Sequence, residues 1–414
     1  LDVKKVKPSP GRIVPGGGFC LKGGVMSQKS DVVLFLGAGF SRDAGLPTMA
    51  NFGVKAKDDH NGLEKHLGKD NYREAAPLLV NSSEVFEAFQ EYCSKADTIT
   101  KDDIDNMEKI FCIAEMMKET GVPEIQLNDG KCSIDDLLES IKLWLWKIYQ
   151  QCPFINNAIK SDEEIYNEFF KTIKNKKIDQ SLTVITTNYD LIFEYSANKN
   201  GIKCCYPFEH SDAVEVVRAG GDGEEYIDLY ASGGVSICKL HGSINFFQNV
   251  GESNSNKVFV ANDFGDGTDI GRSGKWPHAW PAIFAVDAIW SIRKKYGNAF
   301  TPVIIPPTYA KLIQESWLRK MWGEALVAMA EAKKIIFIGY SMPVSDGFME
   351  AFIHTSMVKR KESGLSMPEI ISINPDEEAI ERYKKLFTGC YNDKFGATTL
   401  KEIIDKNQLV EVFS

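Results

Sequence analysis

The sequence predicts an α/β fold: a Rossmann-like parallel sheet with helices on both faces, plus a helical insertion. Three observations predict it. An apolar run, Val32–Leu36, feeds directly into Gly37, Gly39 and Gly45. Further apolar runs recur along the chain with helical patterns between them, as buried parallel strands do. Residues 52–178 interrupt that alternation with helical stretches and no clear strand.

The first run is the most informative. A buried strand that ends on glycines and turns into a helix brings bare backbone N–H groups up to a phosphate. The spacing Gly37-x-Gly39-x-Ser41 has Arg42 where G-x-G-x-x-G has its third glycine, which disfavours an ordinary hydride-transfer site. The other strand candidates are Leu182–Thr186, 235–240, 303–305, Lys334–Ile338, Glu369–Ile373 and 409–413. Between them, 316–332 carries Trp317, Met321, Trp322, Leu326 and Met329 at near-helical spacing.

Within 52–178 the best helix is 134–149, with apolar residues at 134, 137, 138, 141, 145 and 148 on one face. Ser133 and Asp136 form its start signal, and the acidic first turn suits the helix dipole. A second interruption, 250–300, is rich in Gly, Asn, Asp and Ser over 251–280 and reads as a loop or lid. Its Asp263, Asp266 and Asp269 miss EF-hand spacing, and Gly271 to Lys275 is too short for a P-loop.

Bulk properties bound the function. The 414 residues are 43% apolar, enough for a full core with insertions. The net charge is −9 without a long basic stripe, which argues against sequence-independent nucleic-acid binding. Nine cysteines, an odd number without C-x-x-C spacing, argue against a disulfide framework or a zinc ribbon and for reduced thiols in a cytoplasmic protein. No apolar stretch approaches the ~20 residues of a membrane span. Residues 1–25, with Pro8, Pro10, Pro15 and Gly16-Gly17-Gly18, read as a flexible tail, an expression remnant or an over-extended reading frame ahead of a natural start at Met26.

Strand ends carry the candidate chemistry. Thr186-Thr187-Asn188-Tyr189-Asp190 offers directional hydrogen bonds for ribose hydroxyls or water, or else simply caps the next helix. In Lys239-Leu240-His241-Gly242-Ser243, His241 stands at a strand end beside glycine, unlike His60, His66, His210, His278 and His354. Gly339-Tyr340-Ser341-Met342-Pro343 and Asn374-Pro375-Asp376 follow two more strands, where turn chemistry alone also favours such residues.

In this succession, Gly-Ala-Gly-x-Ser, Thr-x-Asn-x-Asp, His-Gly, Gly-x-Ser and Ile-Asn resemble the sirtuin family over residues 31–49, 182–246 and 303–376. Tyr340 to Asp346, and Pro306-Pro307-Thr308 followed by Trp317 and Trp322, look more like the bacterial sirtuin-like branch of antiphage defence systems. The resemblance implies NAD as substrate, bound in an inverted pose and cleaved at the nicotinamide–ribose bond. It implies that Gly37, Ala38, Gly39 and Ser41 line the pyrophosphate and ribose, with Thr187 also on the cofactor. Gly339 and Ser341 would hold phosphate or adenosine ribose, and Asn374 the adenosine end. Asn188 and Asp190 would sit by the nicotinamide ribose, with His241 as general base.

Two departures bear on the reaction. The four-cysteine zinc module of protein-deacylating sirtuins is absent from the sequence. In place of their Asp-Phe-Arg, Pro47 is followed by Thr48-Met49-Ala50. Water is then the expected acceptor. The expectation is an NAD+ glycohydrolase releasing nicotinamide and ADP-ribose, needing no metal, and acting as an abortive-infection effector. It would be a homo-oligomer with a defence-system partner. The alternatives are an ADP-ribosyltransferase or deacylase on the same site, a non-enzymatic sensor of NAD or an ADP-ribose derivative, and a structural subunit beside a translocase or nuclease. The expected division is an NAD-binding domain from 26–51, 179–249 and 301–414, with 52–178 and 250–300 as insertions for regulation or partner contacts.

Overall fold

The computed structural model describes residues 30–46, 48, 77–127, 130–150, 160–208, 213–216, 234–249, 258–261, 300–305, 316–343 and 346–414. In chain order its elements begin with β1 (Val32–Leu36), α1 (Pro77–Ser94), α2 (Lys101–Asp105) and α3 (Met107–Glu119). There follow β2 (Glu124–Leu127), β3 (Gly130–Ser133), α4 (Ile134–Gln150), α5 (Lys160–Asn175), β4 (Leu182–Thr186), α6 (Ile192–Lys199) and β5 (Cys204–Cys205). Next come β6 (Ala213–Val216), β7 (Val235–Lys239), β8 (Gly242–Asn249), β9 (Val258–Ala261), β10 (Phe300–Ile304) and α7 (Ser316–Glu331). The chain closes with β11 (Lys334–Ile338), α8 (Gly347–Glu362), β12 (Glu369–Ile373), α9 (Glu377–Leu386), α10 (Leu400–Asp405) and α11 (Leu409–Val412).

Six strands form one parallel sheet in the order β12-β11-β1-β4-β7-β5. Val33 to Leu36 and Ile335 to Ile338 are buried throughout. Such unbroken apolar strands are what a parallel sheet covered on both faces requires. From β1 the chain builds outward to β4 on one side and later to β11 on the other. That reversal is a topological switch point, and it opens a crevice at the C-terminal ends of β1 and β11.

The helical region packs into the same core. Ser133 Oγ accepts the Asp136 N–H at 3.1 Å, starting α4 as its signal predicts. Ile134, Leu137, Leu138, Ile141 and Leu145 are buried as the helical face anticipates. Trp144 and Trp146 are buried as well, because α4 runs between α1 and a second sheet. Trp146 Nε1 donates to the Ile244 carbonyl at 2.8 Å. From α5, Tyr166 donates to the Phe40 carbonyl at 2.6 Å, and Phe40 lies among Tyr166, Phe169 and Phe193.

Five expectations need correction. Residues 303–305 do not join the parallel sheet: β10 runs antiparallel to β8 in a four-stranded sheet ordered β10-β8-β9-β6. That second sheet takes up 242–249, unanticipated as a strand, and 258–261 from the expected loop. Residues 409–413 contain the helical turn α11, in which Leu409 and Val412 are buried and Val410 is 48% exposed. A short apolar run is compatible with either period, and here the i, i+3 spacing wins. The region 52–178 contains a β2–β3 hairpin. Finally, 38–45 forms successive turns rather than a helix, closed by Phe40 N–H to Gly37 O at 2.9 Å and Gly45 N–H to Arg42 O at 2.8 Å. The tail 1–25 and Met26, and residues 52–76, lie outside the described residues, as do Asp263, Asp266, Asp269, Gly271 to Lys275 and Pro306 to Thr308.

Candidate active site

The turn after β1 and the turn after β11 touch along their backbones. Gly37 N–H donates to Ile338 O at 3.0 Å, and Gly39 N–H donates to Gly339 O at 2.9 Å. A Cβ at Gly37 would lie 2.5 Å from Tyr340 Cα, and one at Gly339 would lie 2.2 Å from Phe40 N. Gly339 also has φ +64°, so glycine is required there on two grounds.

Beyond β4, the Thr187–Asp190 turn is bonded to this pair. Thr186 Oγ1 donates to Leu36 O at 3.1 Å and accepts the Asn188 N–H at 3.0 Å. Asn188 Nδ2 donates to Gly37 O at 2.9 Å and to Ser41 Oγ at 3.2 Å. Both amide hydrogens are therefore engaged, and Oδ1 is the atom left for a ligand. Asp190 Oδ1 accepts the Ile192 N–H at 3.0 Å from one residue ahead of the Leu191 N-cap, so it braces the approach to α6 without being its cap.

Behind this turn is a buried ion pair. Lys239 Nζ and Glu194 Oε1 are 3.0 Å apart with side chains 1% and 3% exposed. Lys239 also donates to the carbonyls of Asn188 and Asp190, and Tyr206 donates to Glu194 at 3.1 Å. Sequence reasoning quoted Lys239 only as a neighbour of His241. A lysine ending an apolar strand, with Glu194 on the next helix, was the available signal.

His241 begins the connection from β7 to the second sheet. Gly242 has φ +81°, and a Cβ there would meet Val303 O at 2.1 Å. His241 O accepts the Ile305 N–H at 2.9 Å, and Tyr189 donates to Ile305 O at 2.8 Å. Ser243 Oγ and Ile244 N–H both donate to Tyr189 O, at 3.2 and 3.0 Å. The imidazole is thus fixed from its backbone. Its ring forms no hydrogen bond among the described residues. Burial pushes its pKa down to about 4, against the pull of the Asp346 carboxylate. The ring is neutral at physiological pH.

On the other flank, Asn374 Nδ2 donates to Tyr340 O at 3.0 Å while its Oδ1 accepts the Asp376 N–H at 3.0 Å. Tyr340 donates to Asp346 Oδ2 at 2.7 Å, and Asp346 Oδ1 accepts the Met349 N–H to cap α8. Ser341 O accepts two bonds from the Arg382 guanidinium, at 3.2 and 3.0 Å.

One cavity of about 570 Å³ collects these segments. Ala38, Gly39, Thr187, Asn188, Asp190, His241, Gly339, Ser341 and Asn374 line it. Gly37 and Ser41 do not line it; they lie under Asn188, holding its amide. The wall also includes Arg42, Glu108, Tyr149, Asp346 and Lys401, which strand-end reasoning did not single out as site residues. Asp346 stood inside the quoted Tyr340 motif, but Glu108 and Tyr149 come from the helical region and carry no local signal. Burial, reinforced by the negative charge of Asp346, pushes Glu108 up to about 7. Burial raises the Tyr149 and Tyr189 phenols as well.

Of the histidines set aside, His354 on α8 is exposed beside Glu350, and His60, His66, His210 and His278 lie outside the described residues. Among the described residues, no group of three or more His, Cys, Asp and Glu side chains could hold a metal ion. No helix among them is long and apolar enough to cross a membrane.

Comparison with known proteins gives a family match and several structural likenesses. Residues 182–390 match the SIR2-like domain family. No curated protein matches the chain. Among solved structures, Sir2Tm bound to a propionylated peptide is 11% identical, covering 91% of this chain and 93% of that one at a TM-score of 0.36. A Sir2–p53 peptide–NAD+ complex is 10% identical, with 91% and 93% covered and a TM-score of 0.34. A mutant Sir2 homologue in complex with ADP ribose is 15% identical, with 92% and 90% covered and a TM-score of 0.37.

Proposed function

The chain belongs to the SIR2-like domain family, and on that premise we propose that its cavity binds NAD+ and hydrolyses the nicotinamide–ribose bond, releasing nicotinamide and ADP-ribose. The observation that carries this reading is convergence. Asn188 and Asp190 after β4 and His241 after β7 line one cavity with the glycine turns of β1 and β11.

The chemistry follows from the groups present. Backbone N–H groups at glycine turns suit a pyrophosphate. The C1′–N bond breaks with its electron pair going to the nicotinamide nitrogen, so the leaving group departs neutral and needs no strong acid. Positive character develops at the ribose carbon. Asn188 Oδ1 orients a ribose hydroxyl or the incoming water. Neutral His241 accepts a hydrogen bond, and transiently a proton, from the same groups. Ser41 and Asp190 hold the Asn188 turn and the start of α6. Gly339, Ser341 and Asn374 take the adenosine side, and Thr187 the ribose side.

Water rather than acyl-lysine is the acceptor, because the sequence lacks both the four-cysteine module and the Asp-Phe-Arg segment of deacylating sirtuins. The biological role we assign is NAD+ depletion in antiphage defence, as a cytoplasmic homo-oligomer with a defence-system partner. The helical region 52–178 and the segment 250–300 are the surfaces we assign to its control.

The test incubates purified protein with NAD+ and separates the products by chromatography. Equal amounts of nicotinamide and ADP-ribose are expected, with rates ~10²–10⁴-fold lower in His241→Ala and Asn188→Ala. ADP-ribose attached to protein in place of the free product means a transferase. Tight NAD+ binding without turnover, insensitive to His241→Ala, means a sensor.

A further inference from the structure

Part of the cavity wall comes from helices rather than from strand ends, and one carboxyl stands among those residues. Glu108 is the second residue of α3, and its N–H is held by the Asn106 side chain at 3.0 Å. Met107, Ile110 and Phe111, all buried, anchor that helix in the core. The Glu108 carboxyl lines the same cavity as His241 and Asn188. Among the described residues no cation or hydrogen-bond donor engages it. A half-buried carboxylate without a partner is costly unless a ligand or a proton satisfies it. The His241 ring, 5% exposed and without a hydrogen bond among the described residues, is a second polar group left open at the same cavity.

We propose that Glu108 accepts the proton of the water that attacks the ribose carbon, as a second catalytic group beside His241. This rests on the hydrolase reading above. The C1′–N bond breaks and its pair stays on nicotinamide. The C1′–O bond forms to water, the water proton passes to the Glu108 carboxylate, and solvent then removes it. The surroundings suit this division of labour. His241, held near 4 and so neutral, is left to the ribose hydroxyl, whereas Glu108, held near 7, titrates at the working pH.

The other ionisable groups of the wall are the carboxyls of Asp43, Asp190 and Asp346 and the cations Arg42 and Lys401. Asp346 raises Glu108. Tyr149, Tyr189 and Tyr340 remain neutral through this range, since burial raises all three. Held near 7, Glu108 changes charge within the neutral range, while His241, held near 4, stays neutral there.

The experiment is the dependence of kcat and KM on pH, from about 5 to 9, for the full chain, Glu108→Gln and Glu108→Asp. Wild-type kcat is expected to rise with pH and level off above about 7. Glu108→Gln is expected to lose at least ~10²-fold in kcat and to lose that limb, with KM for NAD+ little changed. Glu108→Asp keeps a limb at reduced kcat. A Gln variant with kcat within about twofold of wild type and the limb intact overturns the proposal. Should the Gln variant fail a thermal-melt check, Glu108→Asp decides: unaltered kcat and limb overturn the proposal, a lowered kcat supports it. Absence of nicotinamide release from wild type at every pH defeats the hydrolase reading first, before any variant is compared, and the inference with it.

Discussion

Replacing Glu108 with glutamine stabilises the fold at alkaline pH and leaves it unchanged in acid. The cavity holds this carboxyl at about 7 against an ordinary 4.5. The folded state therefore binds the proton more tightly than the unfolded chain. Stability falls as pH rises from 4.5 through 7, and the loss is complete above that. The difference is worth at most ~3 kcal/mol. Glutamine carries no such penalty. With ~2 cal/mol/K of unfolding entropy per residue, a chain of 414 residues converts 3 kcal/mol into roughly 3 °C. His241 works in the opposite sense. Its pKa falls from 6.5 to about 4, so its contribution is present above 6.5 and is lost as pH drops through 4. Between 4.5 and 6.5 the two slopes cancel in the wild type; the Gln variant exposes the histidine slope alone. Thermal melts of both proteins at about pH 4 and about pH 8 measure this. Equal melting differences at the two pH values, or a variant less stable in alkali, refute the reasoning. A variant that melts higher while turning over more slowly is what a strained active site predicts.

Two further outcomes are expected. Gly339→Ala pushes a methyl group to within 2.2 Å of the Phe40 backbone at a positive φ, so nucleotide affinity measured by calorimetry should fall at least ~10-fold while the sheet persists in circular dichroism. Lys239→Met leaves Glu194 buried and unpaired, with an expected loss of ~3–5 kcal/mol in denaturant unfolding; adding Glu194→Leu should recover most of the stability but not the turnover, because the Asn188 and Asp190 carbonyls have still lost their donor.

The parallel sheet was legible because its central strands are apolar without interruption, a pattern that solvent-facing strands do not carry. The strand-end residues were legible for the same reason: once β1, β4, β7, β11 and β12 are parallel neighbours, their following residues share one edge. Local sequence failed where the period was short. Residues 409–413 read equally as strand or helix, and 303–305 gave no sign of which sheet they join. Glycines 37 and 39 announced a turn but not its type; the Gly339 backbone packs against Gly39 and Phe40, and 38–45 runs as successive turns. Glu108 was beyond reach. Its place depends on a helix far from β1 in sequence reaching the same cavity, and a charged residue in a first helical turn looks like ordinary dipole compensation.

The backbone contact between the β1 and β11 turns has a consequence for how the site can adapt. With no side chain between Gly37, Gly39 and Gly339, and five registered residue pairs below them, that seam has no slack to part. Adjustment of the cavity to whatever it holds therefore falls to the other walls, where Glu108 stands on α3 and Lys401 on α10.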